Sequence, residues 1–156
     1  MKKRIATIAI ALLLLTVTAS GAFGLGIGLS YGISPLGGLP GQNLLLSVKA
    51  DQLPFLLGVG ARMNASTFSL GLTADWWAMN NNLVNFINYY LGLGLYAGIG
   101  QDIALGARLP IGLNAFPIEP LEIFLEVAPT LAFISPGGIT FPDIGLQGAV
   151  GLRFWF

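Results

Sequence analysis

The chain contains no cysteine and no histidine in its 156 residues. Without cysteine there is no disulfide framework and no thiol chemistry. Without histidine the commonest general base and metal ligand is missing. Charge is scarce as well: charged residues are 9% of the chain, against 54% hydrophobic, and mean hydropathy is +0.78. A soluble domain of this length needs far more charge on its surface, so the composition assigns the chain to a membrane. One domain at most fits this length. No basic patch is present, which excludes nucleic acid as a partner. The glycines of "LGIGLSYGIS" open no helix, so they form no phosphate loop.

The first segment stands apart. "MKKRIATIAIALLLLTVTASGAFG" begins with Lys2, Lys3 and Arg4, continues as an apolar run from Ile5 to Val17, and then offers small residues from Ala19 to Ala22. That order is the pattern of a secretory signal peptide over residues 1–22, with cleavage near 22–24. Its removal leaves four basic residues against seven acidic ones in residues 23–156.

After that segment, glycines interrupt every apolar run and recur at period two. In "LGIGLSYGIS", Leu25, Ile27, Leu29, Tyr31 and Ile33 face one way and Gly26, Gly28, Ser30, Gly32 and Ser34 the other. The same split separates Phe68, Leu70, Leu72, Ala74 and Trp76 from Ser69, Gly71, Thr73, Asp75 and Trp77. It recurs in "FLLGVGARM", in Tyr90–Ile99, in Ile103–Asn114, in Leu121–Phe133 and in the C-terminal stretch. With the weaker Asn43–Ala50 this makes about eight strands, most of them long enough to cross a bilayer when tilted.

Lipid does not tolerate an open sheet edge, so the sheet must close. The expected fold is all-β: a closed antiparallel transmembrane β-barrel of about eight strands over residues 23–156. A soluble barrel turns its apolar face inward. Here every strand-borne charge lies on the glycine-rich face, so the apolar face is expected outside. Phe55, Trp76, Tyr89, Phe116, Phe154 and Phe156 would form an aromatic girdle at the end that carries the termini. Pro110 and Pro129 each remove a ladder donor and suggest bulges. Turns are expected near Asp51, within Asn80–Asn88 and at "FPIEP".

The signal peptide, the alternating strands and the final "VGLRFWF" resemble small eight-stranded bacterial outer-membrane proteins, with the architecture of the outer-membrane protein A and X barrels. "GARLPIGLNAF" and "PLEIFLEVAPTLAF", within Gly106–Phe133, are similar to a group of small outer-membrane barrels filed as a domain of unknown function. The resemblance implies an outer-membrane location, reached through the inner membrane with a cleaved signal peptide. Outer-membrane lipid and the outer-membrane insertion machinery are then the implied partners. It also implies that the last strand is a sorting label, carried by Val150, Leu152, Phe154 and Phe156.

Eight-stranded barrels are narrow enough for side chains to fill. The inward charges are Arg62, Asp75, Arg108, Glu122, Glu126 and Arg153, with Lys49 on a weaker strand. Counting along the strands sets Arg108 beside Glu126, and Arg153 near Glu126 and Glu122. An interior charge network therefore follows, with Trp77, Tyr90, Tyr96, Phe124 and Trp155 as plugs. The role expected from this is structural or surface interaction, with no catalysis, no cofactor and no metal. A narrow ion or small-solute pore is the alternative, with the network as its gate. The Gly- and Pro-rich loops Ser34–Gln42 and Ser135–Asp143 should be neighbours. Their Leu36, Leu39, Ile139 and Phe141 are candidate contacts for an extracellular or envelope protein partner.

Overall fold

The computed structural model describes residues 24–36, 44–63, 68–100, 103–135, 141 and 143–156, except for the side chains of Leu36, Arg62 and Met63. The leader of residues 1–22, and with it the cleavage site, lies outside them. So do Leu39 and Ile139.

The described residues form β1 (Leu25–Leu36), β2 (Leu44–Ala50), β3 (Phe55–Met63), β4 (Phe68–Val84), β5 (Ile87–Ile99), β6 (Ile103–Arg108), β7 (Ile111–Ile118), β8 (Leu121–Ile134) and β9 (Asp143–Trp155). All neighbours pair antiparallel, β1 with β9 and β4 with β5 among them, so the sheet closes on itself. β6 and β7 both lie between β5 and β8 and are two halves of one stave. The result is a closed antiparallel barrel of eight staves.

Burial alternates residue by residue, as the period-two pattern requires. Along β4, Phe68, Leu70, Leu72, Ala74 and Trp76 are exposed while Ser69, Gly71, Thr73, Asp75 and Trp77 are buried. β8 repeats this, with Ile123, Leu125 and Val127 outside and Glu122, Phe124 and Glu126 inside. The exterior is thus a continuous apolar wall, and the charges point into the barrel. Of the aromatic set at the end that carries Gly24 and Phe156, Phe55, Trp76, Phe154 and Phe156 are exposed, and Tyr89 and Phe116 are half-buried.

The interior is filled by a size match across the staves. Tyr90 lies opposite Gly112, and a methyl group on Gly112 would sit 2.2 Å from the Tyr90 ring. Asp75 lies opposite Gly94, where a methyl would stand 1.9 Å from Oδ1. These glycines are needed for close approach. The large inward side chain of one stave occupies the space that a Cβ on the next would take.

Four details refine the sequence expectation. The short second strand is present as Leu44–Ala50, with its outward Leu44, Leu46 and Val48 exposed, and Asn43 lies outside the described residues. The Asn80–Asn88 segment is mostly ladder, since Asn80 pairs with Tyr90 and Asn82 with Asn88, and the turn shrinks to Asn85–Phe86. Asparagine favours turns, but here its amides stabilise the ribbon. Asn82 Nδ2 donates to the Asn85 and Ile87 carbonyls and to Asn88 Oδ1, and Asn85 takes the left-handed conformation at φ 51°.

The third difference concerns Ser34–Leu36, which extend β1 instead of opening a loop. A bulge between Ile33 and Leu36 absorbs Pro35, whose missing N–H needs no partner there. Leu36, expected in a surface loop, therefore lies at a ladder position opposite Leu146. Fourth, the two prolines behave differently. Pro110 breaks the sixth stave into β6 and β7, while its carbonyl still accepts Gly92 N–H at 2.8 Å. Pro129 stays inside β8 on the exposed face, and its carbonyl accepts Leu109 N–H at 2.9 Å.

If the size match holds the interior together, Gly112→Ala should lower the unfolding free energy by about 1–3 kcal/mol, the usual cost of overpacking. Gly148→Ala is the control, because its added methyl would meet Ile33 at 3.4 Å, an ordinary contact. Urea titration of both variants in detergent micelles checks this, and equal midpoints would sink the idea.

Candidate functional site

The chemistry of this molecule is gathered inside the barrel. Among the described residues, Asp75, Glu122 and Glu126 face Lys49, Arg108 and Arg153, all buried. Arg108 pairs with Asp75 and Glu126, and Arg153 with Glu122. Each side chain comes from an inward position on β2, β4, β6, β8 or β9.

Two clusters result. In one, Arg108 Nη2 bonds Glu126 Oε1, its Nε stands 3.3 Å from Asp75 Oδ1, and the Tyr90 hydroxyl donates to Glu126 Oε2 at 2.9 Å. The ladder sets Arg108 opposite Thr130 and Glu126 opposite Gly112. The long guanidinium therefore reaches along the stave to its carboxylate. In the other cluster Glu122 is 0% exposed and accepts four hydrogen bonds. Arg153 Nη1 gives two at 2.9 Å, Asn114 Nδ2 one at 2.9 Å and Trp155 Nε1 one at 2.7 Å. A buried carboxylate is tolerated when its lone pairs are filled in this way.

Arg153 pairs directly across the ladder with Glu122. Glu126 lies opposite Ala149 and takes Arg108, so the sequence-based placing of Arg153 near both glutamates resolves in favour of Glu122. Asp75 joins Arg108, a contact that counting along β6 to β9 does not reach. The signal that could have revealed it is Gly94, the space opposite Asp75. The side chain of Arg62 lies outside the described residues.

Aromatic rings hold the cations. The Arg153 guanidinium lies 4.9 Å from the Phe124 ring centroid and 5.6 Å from that of Trp77. Lys49 Nζ stands 5.0 Å from Trp77 and 5.7 Å from Trp155, and reaches the Leu53 carbonyl at 3.4 Å. Trp77 stacks on Tyr90 with centroids 4.0 Å apart. Such contacts compensate part of the desolvation of each cation. Between the two clusters lies a cavity of about 20 Å³, bounded by Ser47, Thr73, Asp75, Arg108, Glu126 and Arg153 among others. That is room for about one water.

Two other candidate sets are placed as follows. Val150, Leu152, Phe154 and Phe156 all face outward and are exposed. Phe141 is 66% exposed, with its ring stacked 6.3 Å from Phe133 at the end away from the termini. There Ser135 Oγ donates to Asp143 Oδ2 at 2.5 Å. Among the described residues no group of three or more acidic side chains could hold a metal ion.

No protein-family model matches the chain, and no curated protein matches it. Among solved structures it is similar to the crystal structure of Neisserial surface protein A, at 14% identity and a TM-score of 0.49, over 86% of this chain and 96% of that one.

Removing one partner of a buried pair should cost far more than removing both. Arg153→Met alone strands Glu122 and should lower stability by about 3–5 kcal/mol, whereas Arg153→Met with Glu122→Leu should recover most of that loss. A double variant as unstable as the single one, measured by urea unfolding in micelles, would contradict this account.

Proposed function

We propose that this chain is a small integral outer-membrane barrel with a plugged, non-conducting interior, acting as a structural element or through its surface, without catalysis. One observation carries the reading: the barrel is inverted, with an unbroken apolar wall outside and the paired charges inside. In water such a wall would aggregate. Against lipid it is the required surface, and the closed ladder satisfies the backbone groups of the wall.

The plug is supported by the way side chains meet across the lumen. Arg153 of β9 lies 5.6 Å from the ring of Trp77 on the opposite β4, Lys49 of β2 stands 5.0 Å from the same ring, and the Glu122 that Arg153 binds is held by Asn114 and Trp155 of the neighbouring strands. A conducting path would need these contacts broken. The outward row Val150, Leu152, Phe154 and Phe156 is the segment we propose the insertion machinery reads, after export with a cleaved signal peptide.

Planar bilayers test this directly. The refolded barrel should migrate differently in gels before and after boiling, and should pass no unitary current. Stepwise current that changes in an Arg108→Ala variant would make the interior network a gate and replace this reading with that of a narrow pore. Phe156→Ser should reduce assembly into outer membranes in cells, and unchanged assembly would remove the sorting role from that residue.

A further inference from the structure

Six buried polar atoms around one cavity of the lumen make no hydrogen bond to the protein. They are Ser47 Oγ, Thr73 Oγ1, Asp75 Oδ1 and Oδ2, Arg108 Nε and Arg153 Nε. Arg108 Nε stands 3.3 Å from Asp75 Oδ1, an ionic contact outside hydrogen-bond geometry. All five residues are buried, and all five bound the cavity of about 20 Å³ between the two clusters. Buried polar groups are almost always hydrogen-bonded, and each one left unmet carries the cost of its own desolvation. Six of them around one small space point to a guest.

The ladder explains why they gather there. Ser47 lies between Gly28 of β1 and Gly58 of β3, Thr73 lies opposite Gly58, and Arg153 lies opposite Gly28. A methyl on Gly28 would sit 2.4 Å from Ser47 Oγ and 3.4 Å from Arg153 Nε. One on Gly58 would sit 2.4 Å from Thr73 Oγ1. Both hydroxyls therefore stand over glycines, which give them room but no side-chain partner. Asp75 shares the inward face of β4 with Thr73, and Gly94 opposite it likewise offers no side chain.

The donors and acceptors identify the guest. The two Nε–H groups only donate, the Asp75 carboxylate accepts, and the hydroxyls do either. An anion would face the Asp75 carboxylate, and a cation would face two guanidinium groups, in a site where desolvation makes either costly. A neutral molecule with two lone pairs and two hydrogens serves both kinds of partner. The volume holds about one water. We propose that this cavity is a binding site for a single water molecule, which accepts from Arg108 and Arg153 and donates to Asp75 and to a hydroxyl of Ser47 or Thr73. The water joins the Asp75–Arg108–Glu126 cluster to the Arg153–Glu122 cluster, so the interior charges form one network from β4 to β9. The inference concerns the folded lumen, and depends neither on a lipid setting nor on whether the barrel conducts.

A crystal structure of the refolded full chain, grown with sodium bromide at a resolution that orders internal waters, tests this. One density peak should lie at about 2.7–3.2 Å from Asp75 and from an arginine Nε, with no anomalous bromide signal. Asp75→Leu, which removes the acceptors and fills the space, should lose that peak while the Arg153–Glu122 pair stays. A dry cavity in the wild type would overturn the proposal. So would a bromide signal at the site, in favour of an anion. Urea titration in micelles gives a second test. The midpoint shift caused by Asp75→Leu should be smaller when Arg153→Met and Glu122→Leu are already present, because groups that share a partner do not act additively. Equal shifts in the two backgrounds would show that no water couples the clusters and would also overturn it.

Discussion

Everything in this molecule depends on how little room eight staves leave inside. A barrel of this size has an interior just wide enough for side chains, and this one must hold several aromatic rings and several charges there. Much of the space is found by pairing a large inward side chain with a small residue directly across the ladder. Tyr90 has Gly112, Tyr96 has Gly106, Asp75 has Gly94 and Phe124 has Gly151. The glycines that make the sequence look weak as a sheet former are the condition for filling its core. They also bring the staves' functional groups within bonding distance, because a side chain that leans over a glycine can reach the far wall.

Charge placement follows from the same geometry. Outside, a charge would face an apolar wall, and no strand-borne charge among the described side chains is placed there. Inside, an unpaired charge would be costly, so among the described side chains both arginines meet carboxylates, while Lys49 rests on the Trp77 and Trp155 rings and the Leu53 carbonyl. Glu122 illustrates the standard of satisfaction required, with its oxygens filled by an arginine, an asparagine and a tryptophan from two neighbouring strands. A buried ionic core of this kind adds little net stability over an apolar one of equal volume. What it supplies is register: shifting β8 against β9 by one residue would turn Glu122 or Arg153 toward the outside.

The wall was largely legible in the sequence because its signal has period two and repeats in every strand. Ile123, Leu125 and Val127 against Glu122, Phe124 and Glu126 define faces without any knowledge of the partners. Closure followed from the need to hide edges. Less was legible where the chain departs from that period. The asparagines of residues 80–82 carry turn propensity, yet the β5 side of the ladder continues past them because Asn82 satisfies the tip from its own side chain. Pro35 and Pro110 look alike as breakers, but one is absorbed in a bulge and the other splits a stave. The difference lies in which neighbouring N–H and carbonyl groups remain paired, and those belong to distant strands. Asp75 meets Arg108 across β5, through space that only Gly94 announces.

The distribution of these features divides the molecule by place. The wall is apolar, and the lumen is occupied by aromatic rings and by charged groups that pair with one another. What remains available lies at the two ends. One carries the Phe133–Phe141 stack beside the Ser135–Asp143 bond, and the other carries the open edge of β4 below Trp76. The second arises from unequal strand lengths, since β3 begins where β4 still has eight residues to run. A barrel whose staves all ended together would have no such edge. The ribbon of β4 and β5 that runs past the rim is bent by bulges between Trp77 and Met79 and between Asn82 and Val84 and is tied at its tip by Asn82, so pairing with β3 ends at Trp76 while the hairpin continues.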